Sequence, residues 1–258
     1  MSIALTETGT LALSISMAVA AGMVGCFAVM RRMTLAADAM SHVALPGIGI
    51  ALLLRFSPLA GALAMLVLGT LLIWLLETRT KISTETIVGV VFSVALAIGS
   101  LLTSGDQLID ALFGAPSKLN GLETVLGLVG AAVVIGFILK ARNALVVSLV
   151  SADIALTSGI NVARLDLMFL LAFALTVALG LRYLGVLLMG SLIIIPAATA
   201  RRVAGSLDAM LAISVAAAVV ATIAGIYAAS MLHREPGPLI IAGAGIIFFL
   251  SLARRQPQ

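Results

Sequence analysis

Asp38 and His42 are the residues of this chain whose types and spacing could support chemistry. They lie four positions apart in the stretch DAMSHVALPG, residues 38–47, and on a helix that spacing places both side chains on one face. A carboxylate and an imidazole offer the oxygen and nitrogen ligands that zinc, manganese and ferrous iron accept. An ionised carboxylate inside a membrane-spanning helix costs about 2.5–3.5 kcal/mol on insertion scales, so a use for it is expected. The pair therefore predicts a metal site on a polar pathway; the alternative is an Asp–His contact that joins two helices.

The composition predicts the class of protein in which this pair lies. Hydrophobic residues make up 62% of the 258 residues, charged residues only 10%, and the mean hydropathy is +1.25. These values predict an all-α integral membrane protein, with one transmembrane domain over residues 1–258. Its single cysteine, Cys26, excludes an internal disulfide. The N-terminal tail has no basic residue before the first apolar run, so we expect that run to remain as a span rather than to be cleaved as a signal peptide.

Apolar segments near the length of about 20 residues that a bilayer requires recur along the whole chain. They lie at 9–30, 35–55, 58–76, 84–103, 122–140, 165–181, 184–200, 207–231 and 237–253. Only Arg182 and Tyr183 separate the sixth segment from the seventh, so these two could form a tight helical hairpin or one broken, re-entrant element. The sequence therefore predicts a polytopic bundle of eight or nine transmembrane helices.

The lysines and arginines predict how the bundle is oriented. With nine spans and the N-terminus outside, the outer segments hold only Arg55, Lys118, Arg182 and Arg234 of the fifteen basic residues. The remaining basic residues lie on the inner side, as the positive-inside rule requires, and the C-terminus is then cytoplasmic. Eight spans would move one end of the chain to the other side. Because the basic residues form short clusters between apolar runs, the net charge of +4 indicates membrane orientation and argues against nucleic-acid binding.

Two connections between spans are long enough to carry structure of their own. Residues 104–121 contain Asp106 and Asp110 among glycines and a proline, and predict an outward turn region with solvated carboxylates. Residues 141–164 are the longest connection and face inward. Within them, Ser151 fits a helix N-cap, Asp153 fits the first turn, and Gly159 fits a C-terminal stop. A short helix over about 151–160 is therefore predicted.

This short helix carries apolar side chains although no core is predicted beside it. Ile154, Leu156 and Ile160 would be exposed on the inner side of the membrane. Exposed apolar surface of this kind favours a docking site for another protein. The alternative is a helix that lies flat in the lipid interface.

Glycines and prolines interrupt two of the predicted spans. Pro46 and Gly47 follow His42 in the second span, and Gly190 and Pro196 lie in the seventh. A proline kinks a helix and small residues permit close helix packing, so these four residues predict kinks beside the pathway, either static or flexible. His233 lies in the last outward turn, where a solvated side chain is favoured over a metal ligand, and a part in metal entry stays open.

Three stretches together resemble one family. DAMSHVALPGIGIALLL (38–54), SADIALTSGINV (151–162) and LIIIPAATARR (192–202) resemble, in the same order and at similar spacing, the permease subunits of bacterial ABC importers for zinc, manganese and chelated iron. The resemblance extends over residues 11–255. It implies a multi-pass protein of the bacterial cytoplasmic membrane that pairs with a second permease chain, identical or similar. It also implies two cytoplasmic ATPase subunits and an extracytoplasmic metal-binding protein as partners.

The resemblance also implies roles for individual residues. Asp38 and His42 match the family's metal site on the pathway, and no permanently bound cofactor is implied besides the transported zinc, manganese or iron. The inner helix matches the coupling helix that docks in a groove of the ATPase. Its matching residues are Ser151, Ala152, Asp153, Ile154, Ala155, Leu156, Gly159 and Ile160.

The chain itself contains no GxxxxGK[ST] phosphate-binding loop, so its energy must come from a partner or from an ion gradient. In the first case, two copies of Asp38 and His42 would supply up to four ligands to one ion. In the second, the chain is a gradient-driven secondary metal transporter with the same two residues as a proton relay, although no second copy of the DAMSH pattern indicates the inverted repeats common in such carriers. An intramembrane enzyme is disfavoured, because no second cluster of titratable groups lies in a span.

Overall fold

The computed structural model describes residues 2–80, 82–102, 121–184 and 186–253, with the backbone alone for residues 2–8, 35, 37–38, 182–184 and 186–188. Within these ranges the chain forms helices and no strand, which confirms the predicted all-α fold for the described residues. In chain order the helices are α1 Ser2–Met30, α2 Thr34–Leu53, α3 Pro58–Arg79, α4 Thr84–Leu102, α5 Gly121–Val150, α6 Ala152–Thr157, α7 Val162–Leu184, α8 Val186–Val203, α9 Leu207–Leu232 and α10 Pro236–Ala253.

Seven stretches of these helices are long and apolar enough to cross a membrane. They are Gly9–Met30, Pro58–Arg79, Thr84–Leu102, Gly121–Val150, Val162–Leu181, Leu207–Leu232 and Pro236–Ala253, and a shorter apolar stretch in α2 covers Ala39–Leu53. The chain is therefore a multi-pass membrane protein, and the count of eight or nine spans stays a prediction. The predicted outer turn with Asp106 and Asp110 lies outside the described residues.

Two helices extend well beyond the predicted spans. The helix α5 continues to Val150 and α7 begins at Val162, so the predicted connection over 141–164 is helical in its first ten and its last three positions. Its 30 residues make a helix of about 45 Å, longer than the ~30 Å hydrocarbon core. Likewise α1 begins at Ser2 rather than near residue 9. Hydropathy detects only the part of a helix that lies in lipid. The helix itself can continue beyond the lipid until capping groups bind its terminal backbone atoms.

The sixth and seventh predicted spans pack side by side. The side chain of Met189 in α8 fills the space in which Gly180 of α7 would carry a Cβ atom. In one straight helix these two residues would be about 13 Å apart along the axis, so the contact requires α8 to fold back along α7. The two helices therefore form a folded-back pair, and the choice between a spanning hairpin and a re-entrant element stays a prediction.

Most of the helices fall into two groups. The α2 group consists of α2, α3 and α4, and the α1 group consists of α1, α8, α9 and α10. Helix α2 also contacts α8, α7 touches helices of both groups, and α5 packs on α1 and α7. Large buried side chains fill the interior, with Phe27, Phe169, Phe173, Leu66 and Met189 among them. The outer faces of α3, α4, α5 and α10 expose large apolar side chains, as expected of surfaces that face lipid.

Polar contacts gather several helix termini at one end of the bundle, here called the α6 end because α6 lies there. Five contacts define it: Arg31 with Asp166, Arg142 with Asp208, Arg201 with the carbonyl of Val29, Arg202 with the carbonyls of Ser251 and Leu252, and Trp74 with the carbonyl of Ala163. The positive-inside rule predicts these arginines on one side of the membrane. Their position at one end of the molecule supports that grouping.

Candidate metal site and short α6 helix

Helix α2 carries both candidate metal ligands and is held by close backbone contacts. It packs mainly against α3 and α4. A Cβ atom on Gly47 would overlap the carbonyl oxygen of Gly61 in α3, so at this crossing the two backbones touch. On the other side, Gly99 of α4 lies against Leu45 and Pro46, with 3.0 Å from its ideal Cβ position to the Cβ of Leu45. The site is thus built on a tightly supported helix.

The imidazole of His42 is partly buried, and one of its nitrogens is unpaired. Its ring packs edge-on against Phe92 of α4, with the ring centroids 5.4 Å apart and the planes at 61°. The Nδ1 atom is buried and has no hydrogen-bond partner. Burying a polar atom without a partner costs about 1–3 kcal/mol, so native structures leave few such atoms. An unpaired imidazole nitrogen is also the atom that a transition metal would coordinate.

Pro46 removes one backbone hydrogen bond at this point of α2. It lies inside the helix, four positions after His42, and has no amide hydrogen. The backbone carbonyl of His42 therefore lacks the donor that an ordinary helix would supply. The residue that carries the unpaired ring nitrogen therefore also lacks one ordinary helix hydrogen bond.

The helix also places Asp38 one turn before His42, as the sequence predicted, although the side chain of Asp38 lies outside the described atoms. Among the residues that the structure describes, no group of three or more histidine, cysteine, aspartate or glutamate side chains is close enough to hold a metal ion.

Thr70 is a further polar residue near the candidate site, and no pattern in the sequence singles it out. Its side chain is fully buried in α3, and its hydroxyl has no hydrogen-bond partner. Three other buried threonines in the described helices, Thr176, Thr199 and Thr222, each donate to the carbonyl four residues earlier at 2.8 Å. The adjacent residue Gly69 meets Val43, the neighbour of His42, so the unpaired hydroxyl lies in the helix that packs on the candidate site.

Helix α6 has the capping predicted from the sequence. The side chain of Ser151 accepts a hydrogen bond from the amide of Ile154 at 3.3 Å, and Asp153 lies in the first turn. At the other end Gly159 has φ +78, in the left-handed region. The amide of Ile160 donates to the carbonyl of Ala155 at 2.9 Å, and that of Gly159 to the carbonyl of Leu156 at 3.0 Å, which is the Schellman arrangement.

Two large apolar side chains are exposed on α6. Ile154 and Leu156 are 55% and 59% exposed, whereas Ala155 is fully buried, and Ile160 is half-buried rather than free. The helix contacts α5 and α7 through its other side. It therefore presents two apolar side chains outward on a short, well-capped support.

The other predicted kink residues lie in the packed interior. Gly190 and Pro196 are buried in α8. Near them, a Cβ atom on Gly25 of α1 would overlap the carbonyl oxygen of Ile193, so α1 and α8 cross at backbone contact. This agrees with the prediction of close packing around small residues. The other histidine, His233, is exposed at the C-terminus of α9 with φ 51.

Comparison with known proteins places the chain among membrane transporters. It is 29% identical over 239 residues to the "High-affinity zinc uptake system membrane protein ZnuB" of Haemophilus influenzae, covering 90% of this chain and 91% of that protein. It is 27% identical over 242 residues to the "Manganese transport system membrane protein MntC" of Listeria monocytogenes, covering 92% and 86%.

A solved structure has the same fold over nearly the whole chain. "PsaBC from Streptococcus pneumoniae in complex with Fab" matches with a TM-score of 0.81 and 25% identity, covering 96% of this chain and 91% of that one. The model of the family described as "ABC 3 transport family" matches residues 6–255. The predicted resemblance is thus confirmed, and the chain belongs to the ABC 3 transport family.

Proposed function

We propose that this chain is the permease subunit of an ABC importer that carries zinc or manganese across the bacterial cytoplasmic membrane into the cell. The observation that carries the proposal is the buried, unpaired Nδ1 of His42, one helical turn from Asp38. Metal coordination gives such an atom a use inside a membrane-spanning bundle, and similar proteins of this family are named for zinc and manganese uptake.

The proposed metal site uses two permease chains. Asp38 and His42 from each copy supply one carboxylate and one imidazole, which together make four ligands for a single ion. The second copy is an identical chain or a similar permease. Two ligands per chain also make release possible, because the site opens when the chains separate and the ion then keeps only half of its ligands.

The energy for transport comes from a separate ATPase. Helix α6 supports this step, because Ile154 and Leu156 project from it and are exposed. We propose that residues 151–160 dock in a groove of a cytoplasmic ATPase, and that an extracytoplasmic binding protein delivers the metal to the opposite end. The chain is then a transport subunit and hydrolyses no ATP itself.

The test is ATP-dependent uptake of radioactive zinc, manganese and iron into vesicles that contain this chain, its ATPase and its binding protein. The variants are Asp38→Ala and His42→Ala, with His233→Ala as the matched control, since the chain has only two histidines and His233 is exposed. We expect each site variant to lower uptake of the physiological metal by about tenfold or more, because even the outer partners of metal ligands contribute about 10–100-fold. His233→Ala should transport like the wild type.

Three results would overturn parts of the proposal. Uptake by His42→Ala at the wild-type rate would return the pair to a structural role. Uptake that ignores ATP but stops when the proton gradient is collapsed would identify a secondary transporter. Uptake of iron alone would replace zinc and manganese as the cargo.

A further inference from the structure

Arg31 and Asp166 form an ion pair between the α1–α2 junction and the start of α7. Arg31 Nη1 lies 2.7 Å from Asp166 Oδ1, and the side chains are only 12% and 26% exposed. The guanidinium carbon also lies 4.7 Å from the ring centroid of Phe169, which is fully buried. Asp166 and Phe169 are three positions apart on one face of α7, so Arg31 contacts both. A carboxylate and an aromatic face thus hold this arginine in one place.

The same part of α7 is also bound to α3, the helix that follows α2 in the chain. Trp74 of α3 donates from Nε1 to the carbonyl of Ala163 at 2.9 Å. Arg31 lies three positions before the first residue of α2, and α3 is the helix that follows α2. The first two turns of α7 therefore hold both elements that bracket the helix carrying Asp38 and His42.

The link from α6 to these turns is short and closed by hydrogen bonds. Only residues 158–161 separate α6 from α7. The Schellman bonds of Gly159 and Ile160 end α6, and Asn161 Oδ1 then accepts from the amide of Arg164 at 3.0 Å as the cap of α7. A connection whose backbone amides are hydrogen-bonded in this way is rigid. A displacement of α6 should therefore move the beginning of α7.

We propose that the Arg31–Asp166 ion pair transmits the displacement of α6 to α2, so that Arg31 and Asp166 are positioning residues for the transport cycle. The proposal rests on the proposed function. A partly buried ion pair resists separation, because pulling the charges apart leaves each of them poorly solvated. When an ATPase moves α6, Asp166 draws Arg31 with it, and the start of α2 follows.

Arg31 also has an unused donor for a second arrangement of the pair. Its Nε is buried and has no hydrogen-bond partner, while Nη1 contacts Asp166. Arginine and carboxylate often pair through two parallel hydrogen bonds. A shift of α7 that brings the second carboxylate oxygen to Nε would convert the single contact into a bidentate one. Such a shift would give the pair a second discrete arrangement, as an element that couples distant sites requires.

The experiment measures metal imported and ATP hydrolysed at the same time by the full complex in vesicles, together with equilibrium metal binding. The variants are Asp166→Asn and Arg31→Gln, with the double exchange Arg31→Asp and Asp166→Arg as the rescue. The control is Asp208→Asn, which breaks the other ion pair: Arg142 and Asp208 are also 2.7 Å apart but are 41% and 75% exposed. If the single substitutions prevent assembly, Arg31→Lys replaces them, since it keeps the charge and loses the bidentate geometry.

We expect the ratio of metal imported to ATP hydrolysed to fall about fivefold or more in Asp166→Asn and Arg31→Gln, the size usual for coupling between linked sites. Metal binding should persist, the exchange should recover part of the ratio, and Asp208→Asn should keep the wild-type ratio. A proportional fall of uptake and hydrolysis, with the ratio unchanged, would show a structural pair and overturn the inference. An equal loss in Asp208→Asn would overturn it as well.

The failure of the inference and that of the proposed function give different results. If the wild-type complex imports no metal, the proposed function fails and the inference fails with it. If the wild type imports metal, His42→Ala does not, and the pair variants keep the wild-type ratio, only the inference fails.

Discussion

At the scale of single residues, the unpaired polar atoms point to one region of the molecule. In the part of the chain that the structure describes, three buried side-chain atoms lack a partner: Arg31 Nε, His42 Nδ1 and Thr70 Oγ1. They lie on the segment before α2, on α2 itself and on α3 after it. Proteins depart from full hydrogen bonding at functional or strained sites. All three unpaired atoms lie on or next to the helix that carries the candidate metal ligands.

The hydroxyl of Thr70 is predicted to contribute nothing to stability. Thr70→Val removes a buried hydroxyl that has no partner and keeps the side-chain shape, so the thermal unfolding midpoint in detergent should equal or exceed that of the wild type. Ser214→Ala is the contrast, since its hydroxyl donates to the carbonyl of Gly22 across α9 and α1 at 2.8 Å. Its loss should cost about 0.6 kcal/mol, the average for such bonds between membrane helices. A larger loss of stability in Thr70→Val than in Ser214→Ala would show that the Thr70 hydroxyl has a partner.

At the scale of elements, helix ends are easier to predict from the sequence than the contacts between helices. The caps of α6 were predictable, because an N-cap serine and a left-handed glycine act on backbone groups within a few positions. The role of Gly47 was only partly predictable. Its sequence position beside Pro46 indicated a kink, whereas in the structure it is the point at which α2 and α3 touch. Nothing near Gly47 in sequence indicates that its partner is Gly61.

The α2–α3 contact predicts that Gly47 tolerates no side chain. In Gly47→Ala the added methyl overlaps the carbonyl oxygen of Gly61, and backbone atoms cannot turn aside. Overpacking of this kind costs about 1–3 kcal/mol. We expect a lower thermal midpoint and less monodisperse protein by size-exclusion chromatography. Gly89→Ala is the matched control, because no atom lies within 4 Å of the position that its added methyl would take, and it should behave like the wild type. Equal behaviour of both variants would contradict the close contact.

At the scale of the whole molecule, the proposed metal site is shared by two permease chains. Asp38 and His42 supply two ligands from each chain, and two chains together supply the four ligands usual for zinc. We therefore predict one zinc or manganese ion bound for each pair of permease chains in the purified complex, and none for His42→Ala. Metal analysis by inductively coupled plasma mass spectrometry against protein concentration measures this ratio. One ion for each chain, retained in His42→Ala, would place the site elsewhere.

The sequence alone determined the class of the protein, most of its spans, the short capped helix and the candidate pair Asp38 and His42. These depend on local properties, since hydrophobicity, capping and one-turn spacing each act over a few neighbouring residues. It could not determine where α5 ends, because that helix continues beyond the apolar stretch that hydropathy detects.

The tertiary structure decided which distant residues meet. It turned α8 back along α7, set Gly47 against Gly61, left Thr70 without a partner, and joined Arg31 to Asp166, which are far apart in sequence. The physical reason is that such contacts follow from how whole helices pack, and every apolar helix offers many similar faces. Which faces meet is settled only when all of them are buried together.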